Sequence, residues 1–245
     1  INGGITFMES RKKNILTMLL IIIMVIILGI VGYLGFELIN GNVKENQSEE
    51  ITDEFDRQIP TISEDELEEN TALVEDMINA QNGNTEQNNQ QSSTSSSSGT
   101  RKKSYSSGVY ISGYWVAGTI RIPATGIKYS IFSQPNKQAL ERGVGIAYTT
   151  NGLNQPGNTV IAGHNYRNRL FFSKNKNLKI GDSIIIKDTS GVEVTYIINN
   201  TFITDSTDAS FYQRDTGGKR EITLTTCTDQ GTQTGERLIV CAKEK

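Results

Sequence analysis

The chain carries one histidine, His164, and two cysteines, Cys227 and Cys241. A thiol with an imidazole to move its proton is the minimum set for nucleophilic acyl transfer. Cys227 closes a β-rich run at 221–226 (EITLTT) and precedes the polar loop 228–235. His164 follows the apolar run 159–163 (TVIAG) and opens another polar stretch. Both sit where a strand gives way to a loop, the usual place for reactive groups. Cys241 lies inside an apolar run at 238–242 (LIVCA) and reads as a buried structural thiol. A single histidine excludes mechanisms that need two, and histidine-rich metal sites. Two cysteines without a C-x-x-C exclude a disulfide scaffold and a cysteine-built zinc site.

If 221–227 and 236–242 form a hairpin, Cys227 falls near Arg237 and Cys241 near Thr223. Four residues of strand then separate the sulfurs, ~13 Å at ~3.3 Å per residue. A disulfide needs Cα atoms within ~7 Å, so Cys227 is expected as a free thiol. The same pairing sets the Arg237 guanidinium beside it. There it can stabilise a thiolate, or the oxyanion formed when the thiol attacks a carbonyl.

The elements that position these residues read as short strands. They are expected near 114–122, 127–132, 144–149, 158–163, 183–188, 192–203, 220–226 and 236–242, with short helical turns at 136–142 and 168–176. Turn residues separate them, among them Pro123, Pro156-Gly157, Gly181-Asp182 and Gly217-Gly218. Eight short strands punctuated this way predict a mostly-β domain, a closed barrel or a sandwich, over 108–245. That segment has sixteen Lys or Arg and eleven Asp or Glu, a charge of about +5. The whole chain carries −3, and nothing in it points to nucleic acid.

Upstream the composition is different. Residues 15–36 form an uncharged apolar run, long enough to cross a bilayer core of ~30 Å at ~1.5 Å per residue. Arg11, Lys12 and Lys13 precede it, so a transmembrane helix over 15–39 is expected, with residues 1–14 cytoplasmic and the rest outside. Met8 reads as a natural start. Residues 41–80 hold thirteen Asp or Glu against two basic residues, with a short amphipathic helix suggested within 61–80. Residues 81–100 are Gln, Asn, Ser, Thr and Gly, too polar to offset their ordering entropy. The segment 40–107 therefore reads as a disordered stalk.

The residues around the cysteine resemble the sortases, cysteine transpeptidases of Gram-positive cell surfaces. Thr223-Leu224-Thr225-Thr226-Cys227 matches their TLxTC signature, and Arg237 follows in the next strand. The segment 158–164 (NTVIAGH), with Phe171-Phe172 and 178–182 (LKIGD), looks like the sortase histidine region. The resemblance implies an eight-stranded β-barrel and cleavage of an LPxTG-like signal between Thr and Gly. Cys227 would form a thioacyl-enzyme, His164 would act as acid and base, and Arg237 would hold the substrate backbone or the oxyanion. Thr225 and Thr226 would contact substrate. Surface proteins bearing the signal would be donors, and an amine of a peptidoglycan precursor the acceptor. No cofactor is implied.

No second apolar segment and no DPW- or DPF-type lid motif is found in the sequence, which favours a single-pass class A- or D-like member. Asp205, Asp208 and Asp215 lie in a loop by which some class A members bind calcium, a weak signal here. The competing reading is a catalytically inactive surface barrel that binds peptides. An L,D-transpeptidase is disfavoured because Thr226 and Thr228 flank the cysteine where that family has Ser-x-Gly-Cys-Arg.

Overall fold

The computed structural model describes residues 3–62, 108–166, 168–229 and 234–245. The amphipathic segment expected within 61–80 (beyond Ile62) and the Ser-rich run 81–100 lie outside the described residues. Two compact units are present, residues 1–44 and residues 45–245.

The first helix is α1 (Gly3–Gln58). Within the first unit its apolar residues from Ile15 to Phe36 are largely exposed, and an 18-residue window of the helix has a mean hydropathy of 3.2. A helix with no polar face and no buried face is a candidate membrane span.

In the second unit, β1 (Val109–Ile111) and β2 (Tyr114–Ile122) form a hairpin. There follow β3 (Ile127–Phe132), a one-turn helix α2 (Lys137–Leu140), β4 (Val144–Thr149) and β5 (Gly157–Ala162). After a 3₁₀ turn at Phe172–Asn177 come β6 (Ser183–Asp188), β7 (Glu193–Asp205), β8 (Arg220–Cys227) and β9 (Glu236–Glu244). The order is β1-β2-β3-β4-β5-β8-β9-β7-β6, and β2 also pairs with β6. That last pairing closes eight strands into a barrel and leaves β1 as an added edge. The eight expected strands are all present, within a residue or two of their expected ends; β1 is additional.

Side chains alternate across each strand, so one set fills the barrel. Ile120, Ile131, Ile161, Ile186, Ile198, Leu224 and Val240 are fully buried there, with Phe171 and Phe172. The opposite faces of β5, β8 and β9 are covered too. Val160, Ile239 and Cys241 pack under Phe211 and Tyr212 of the β7–β8 loop. Strands buried on both faces read as continuous apolar or β-branched runs, which is how these three appear in the sequence.

The stalk reading changes at its start. Residues 45–58 are helical and packed on the barrel, not solvated tether. Ser48, Ile51, Thr52 and Phe55 are buried on one face, at spacings of three and four. Ile51 and Phe55 meet Ile111, Val116, Phe132 and Ala139. The Thr52 and Ser130 hydroxyls are 3.0 Å apart. Lys187, only 4% exposed, lies 2.5 Å from Asp56 and donates to the Ile59 carbonyl at 2.9 Å. The helix stops before Pro60, whose ring disfavours helical geometry in the preceding residue. The strand-like contact of Ile62 with Val192 then continues the arm. Gly191 turns beneath it at φ +84°, and a Cβ there would sit 2.5 Å from the Pro60 carbonyl oxygen.

Candidate active site

Cys227 and His164 leave neighbouring strands at the same level. β5 and β8 are parallel, with Thr159 beside Ile222 and Ala162 beside Thr225. Two further residues along each chain bring His164 level with Cys227. Strands in a sheet lie ~4.8 Å apart, so this register alone sets the two backbones close. Two bonds hold the alignment past the strand end. The Gly163 amide donates to the Thr225 carbonyl at 3.2 Å, and the Thr226 hydroxyl donates to the Gly163 carbonyl at 2.8 Å. Gly163 allows the loop to approach: a Cβ there would lie 2.7 Å from the Phe172 ring.

The hairpin pairing is as expected, with Cys227 opposite Arg237 and Thr223 opposite Cys241. An Arg237 Nη1–H donates to the Cys227 sulfur at 2.7 Å. Both cysteines are free thiols, Cys227 half-buried and Cys241 buried. The second sulfur has its own surroundings. Arg214 Nη1 reaches it at 3.1 Å, and the same guanidinium bonds Glu221 at 2.8 Å and Asn158 at 3.3 Å. Asn158 in turn donates to the Phe211 and Tyr212 carbonyls at 3.0 Å each. This network ties the β7–β8 loop to the outside of the barrel.

Thr225 and Thr226 are 7% and 4% exposed. The Thr226 hydroxyl is used on Gly163, and the Thr225 carbonyl receives the Gly163 amide. The structure thus places both as framework between β5 and β8 rather than on an open surface. Of the three aspartates proposed for calcium, Asp205 and Asp208 share a turn, the Asp208 amide donating to the Asp205 carbonyl at 3.1 Å. Asp205 accepts from Thr207, Asp208 from Ser210 and Thr204, and Asp215 from Gly217. Among the described residues no group of three metal-binding side chains converges.

Two residues that sequence reasoning did not single out belong to the site. Asn165 donates to the Cys227 carbonyl at 2.9 Å and to Asp229 at 3.2 Å, locking the histidine loop to the cysteine loop. The Lys176 ammonium and the Asn165 amide hold the Asp229 carboxyl below the usual range. Tyr166 stacks on the His164 imidazole, with ring centroids 4.8 Å apart and planes 26° apart. The one sequence signal for either was adjacency to His164. An open groove of about 750 Å³ borders this loop, lined by Asn165, Tyr166, Lys174, Lys176 and Asp229 among others.

The loop itself is strained and over-determined. Arg169 and Phe171 have φ of 67° and 54°, and for a bulky side chain such a conformation costs of order 1–3 kcal/mol. The cost is offset locally. Phe171 is fully buried, its amide donates to the Tyr129 hydroxyl at 3.1 Å, and the Phe172 amide donates to the His164 carbonyl at 3.0 Å.

The arrangement offers a nucleophile, an imidazole and a fixed cationic donor at one barrel rim. No curated protein matches the chain in sequence. Among solved structures, Listeria monocytogenes sortase A is 25% identical over 53% of this chain and 87% of its own, with a TM-score of 0.47. A Clostridium perfringens sortase D5 transpeptidase is 28% identical over 53% and 79%, also at 0.47. A Clostridium perfringens sortase C with the C-terminal cell wall sorting motif is 25% identical over 53% and 70%, again at 0.47. The assignment rests on the sequence match of a family model, the sortase domain, to residues 120–245. That match spans just over half of the chain and includes His164, Cys227 and Arg237, and on it the chain belongs to the sortase family.

Proposed function

We propose that this sortase cleaves an LPxTG-like sorting signal through Cys227 and transfers the protein to an amine of the cell wall. Family membership supports a cysteine transpeptidase in general. The observation that carries the finer reading is the 2.7 Å bond from Arg237 to the Cys227 sulfur, on a strand in register with the one that leads to His164.

In the first half-reaction the Cys227 sulfur attacks the threonine carbonyl carbon, and its proton passes to His164. Arg237 donates to the oxyanion, where a fixed donor acts more strongly than on the ground-state carbonyl. The Thr–Gly bond breaks as His164 returns the proton to the leaving amine, and a thioester remains. In the second, the acceptor amine attacks the thioester and gives a proton to His164. The Cys227 thiolate leaves and takes that proton back.

A peptidoglycan precursor amine is the acceptor we assign. The apolar helix is the anchor, with the N-terminus in the cytoplasm and the barrel outside. A class A- or D-like member remains our reading of the subclass.

The test is mass spectrometry of the full chain incubated with quenched LPxTG-type pentapeptides, with and without a glycine or diamine nucleophile. An acyl adduct on Cys227 that amine resolves and Cys227→Ala abolishes is expected. Turnover retained in Cys227→Ala would refute the mechanism. No adduct together with a Cys227 inert to alkylation would favour the peptide-binding barrel instead.

A further inference from the structure

We infer that Tyr166 is a positioning residue for His164: its ring fixes the plane of the imidazole and favours the protonated form. This rests on the reading of His164 as the acid and base. The two rings are nearly parallel at 4.8 Å, a stacked geometry that leaves the phenol face against the imidazole. An aromatic face attracts a cation lying on it, so the stack favours imidazolium over imidazole. In the proposed cycle His164 carries a proton through both tetrahedral intermediates, and the ring is placed to stabilise that state.

Tyr166 is itself held from several sides. Its amide donates to the Ser173 hydroxyl at 2.8 Å, and its carbonyl accepts from the Arg169 amide at 3.1 Å. Its ring packs on Phe171 at 5.9 Å, and Phe171 packs on Tyr129 at 5.1 Å. A continuous aromatic row thus runs from the barrel wall at β3 to the histidine. The positive-φ backbone at Arg169 and Phe171 is what turns the loop back to make this row. Burial, and then the charge of Glu141, push the Tyr166 phenol up, so the stacking ring is neutral across the working range.

The ionisable groups on the elements meeting here are Cys227 on β8, Arg237 on β9, Asp229 and Lys176 joined through the Asn165 contact, Tyr166 on the histidine's own loop, and Glu141, whose charge reaches that phenol. Arg237 and Lys176 oppose protonation of His164, and Asp229 and Glu141 favour it. The aromatic face works in the same direction as these carboxylates while adding no charge.

His164 is the single histidine of the chain, so its titration can be followed without assignment ambiguity. The full chain in detergent, labelled with ¹³C-histidine, would be titrated by NMR as wild type, Tyr166→Phe and Tyr166→Leu. The wild type should show His164 ring protons shifted upfield by the stacked phenol. Tyr166→Phe should keep that shift and the pKa. Tyr166→Leu should lose the shift and lower the His164 pKa by about half a pH unit. Peptide cleavage should lose several-fold to about tenfold in kcat, with KM unchanged and the pH profile moved the same way, part of the ~10²–10⁴ a positioned acid–base group supplies. An unshifted wild-type ring, or a His164 pKa unchanged in Tyr166→Leu, overturns the inference. His164→Ala run beside them separates the two readings. If that variant turns over normally, His164 is not the acid and base, while the NMR result still decides whether Tyr166 governs it.

Discussion

The Arg237 guanidinium can donate but cannot take up a proton at working pH, so beside the Cys227 sulfur it acts only by charge and hydrogen bonding. Removing it should leave the nucleophile and the imidazole in place and lose the donor. Arg237→Ala is expected to lower kcat/KM by roughly 10²–10³-fold, the usual effect of deleting one oxyanion donor. Arg237→Lys should recover little of this, because a single ammonium on a flexible stem does not reproduce a rigid fork. Steady-state cleavage of the quenched peptide measures both, and an alanine variant within about twofold of wild type would remove Arg237 from the chemistry. Alkylation of Cys227 adds a distinction: slower in Arg237→Ala if the guanidinium stabilises the thiolate, unchanged if it serves only the oxyanion. This residue was legible in the sequence because a two-stranded hairpin fixes its partner by counting. Asn165 and Tyr166 were not, because a loop has no period. Their contacts depend on the positive-φ turn at Arg169 and Phe171, which neither residue type announces. Thr225 and Thr226, read as substrate contacts from their nearness to the nucleophile, are 7% and 4% exposed on a strand covered on both faces.

Among the elements, the strands were readable and the helical arm was not. β2, β3, β4 and β6 appear in the sequence as runs bounded by turn residues, and the structure gives them the expected ends. In the arm, six acidic residues from Glu45 to Asp56 hide an apolar face of only Ile51 and Phe55. Composition weighs the charges and misses the spacing. Those two side chains contribute about 3–6 kcal/mol of burial before any ordering cost. Phe55→Ala is therefore expected to cost about 3–5 kcal/mol and lower the melting temperature by roughly 6–15 °C. Thermal unfolding followed by circular dichroism checks it, and a shift under about 2 °C would mean the arm is not docked in solution. Acid probes the same contact. Burial raises the Asp56 pKa, but Lys187 and Lys128 outweigh it and hold the carboxyl below its usual value. A depressed carboxylate contributes its full stabilisation above the unfolded pKa of ~3.9 and loses it as pH falls through the folded value. The arm should thus hold firm at neutral pH and loosen below about pH 4. In Asp56→Asn that acid-dependent loss should shrink, and the neutral-pH stability should fall because the ammonium of Lys187, 4% exposed, is left without its carboxylate.

At the scale of the whole molecule the charges are segregated. From 45 to 62 the arm has six acidic residues and one basic, a charge of −5, and the barrel segment from 108 carries sixteen basic and eleven acidic, or +5. The chain's modest overall charge conceals this division, and so does any reading of the acidic stretch as a solvated tether. Opposite fields bring the arm to the barrel, but its ion pairs differ in exposure. Lys128 bonds Asp53 at 3.3 Å and Asp56 at 3.0 Å with its side chain 48% exposed, whereas Lys187 is buried. Exposed pairs are worth ~0.2–1 kcal/mol and are screened as the Debye length falls from ~10 Å at 0.1 M salt to ~3 Å at 1 M. Buried pairs and apolar contacts are screened far less. Raising sodium chloride from 0.1 to 1 M should therefore lower the melting temperature of the wild type by only about 1–3 °C. Lys128→Met, which removes the exposed pairs and leaves Lys187 with Asp56, should abolish most of that salt dependence. A salt effect undiminished in Lys128→Met would place the screened attraction in the diffuse −5 to +5 field rather than in these pairs. A fall larger than about 6 °C in the wild type would mean that charge, and not Ile51 and Phe55, holds the arm.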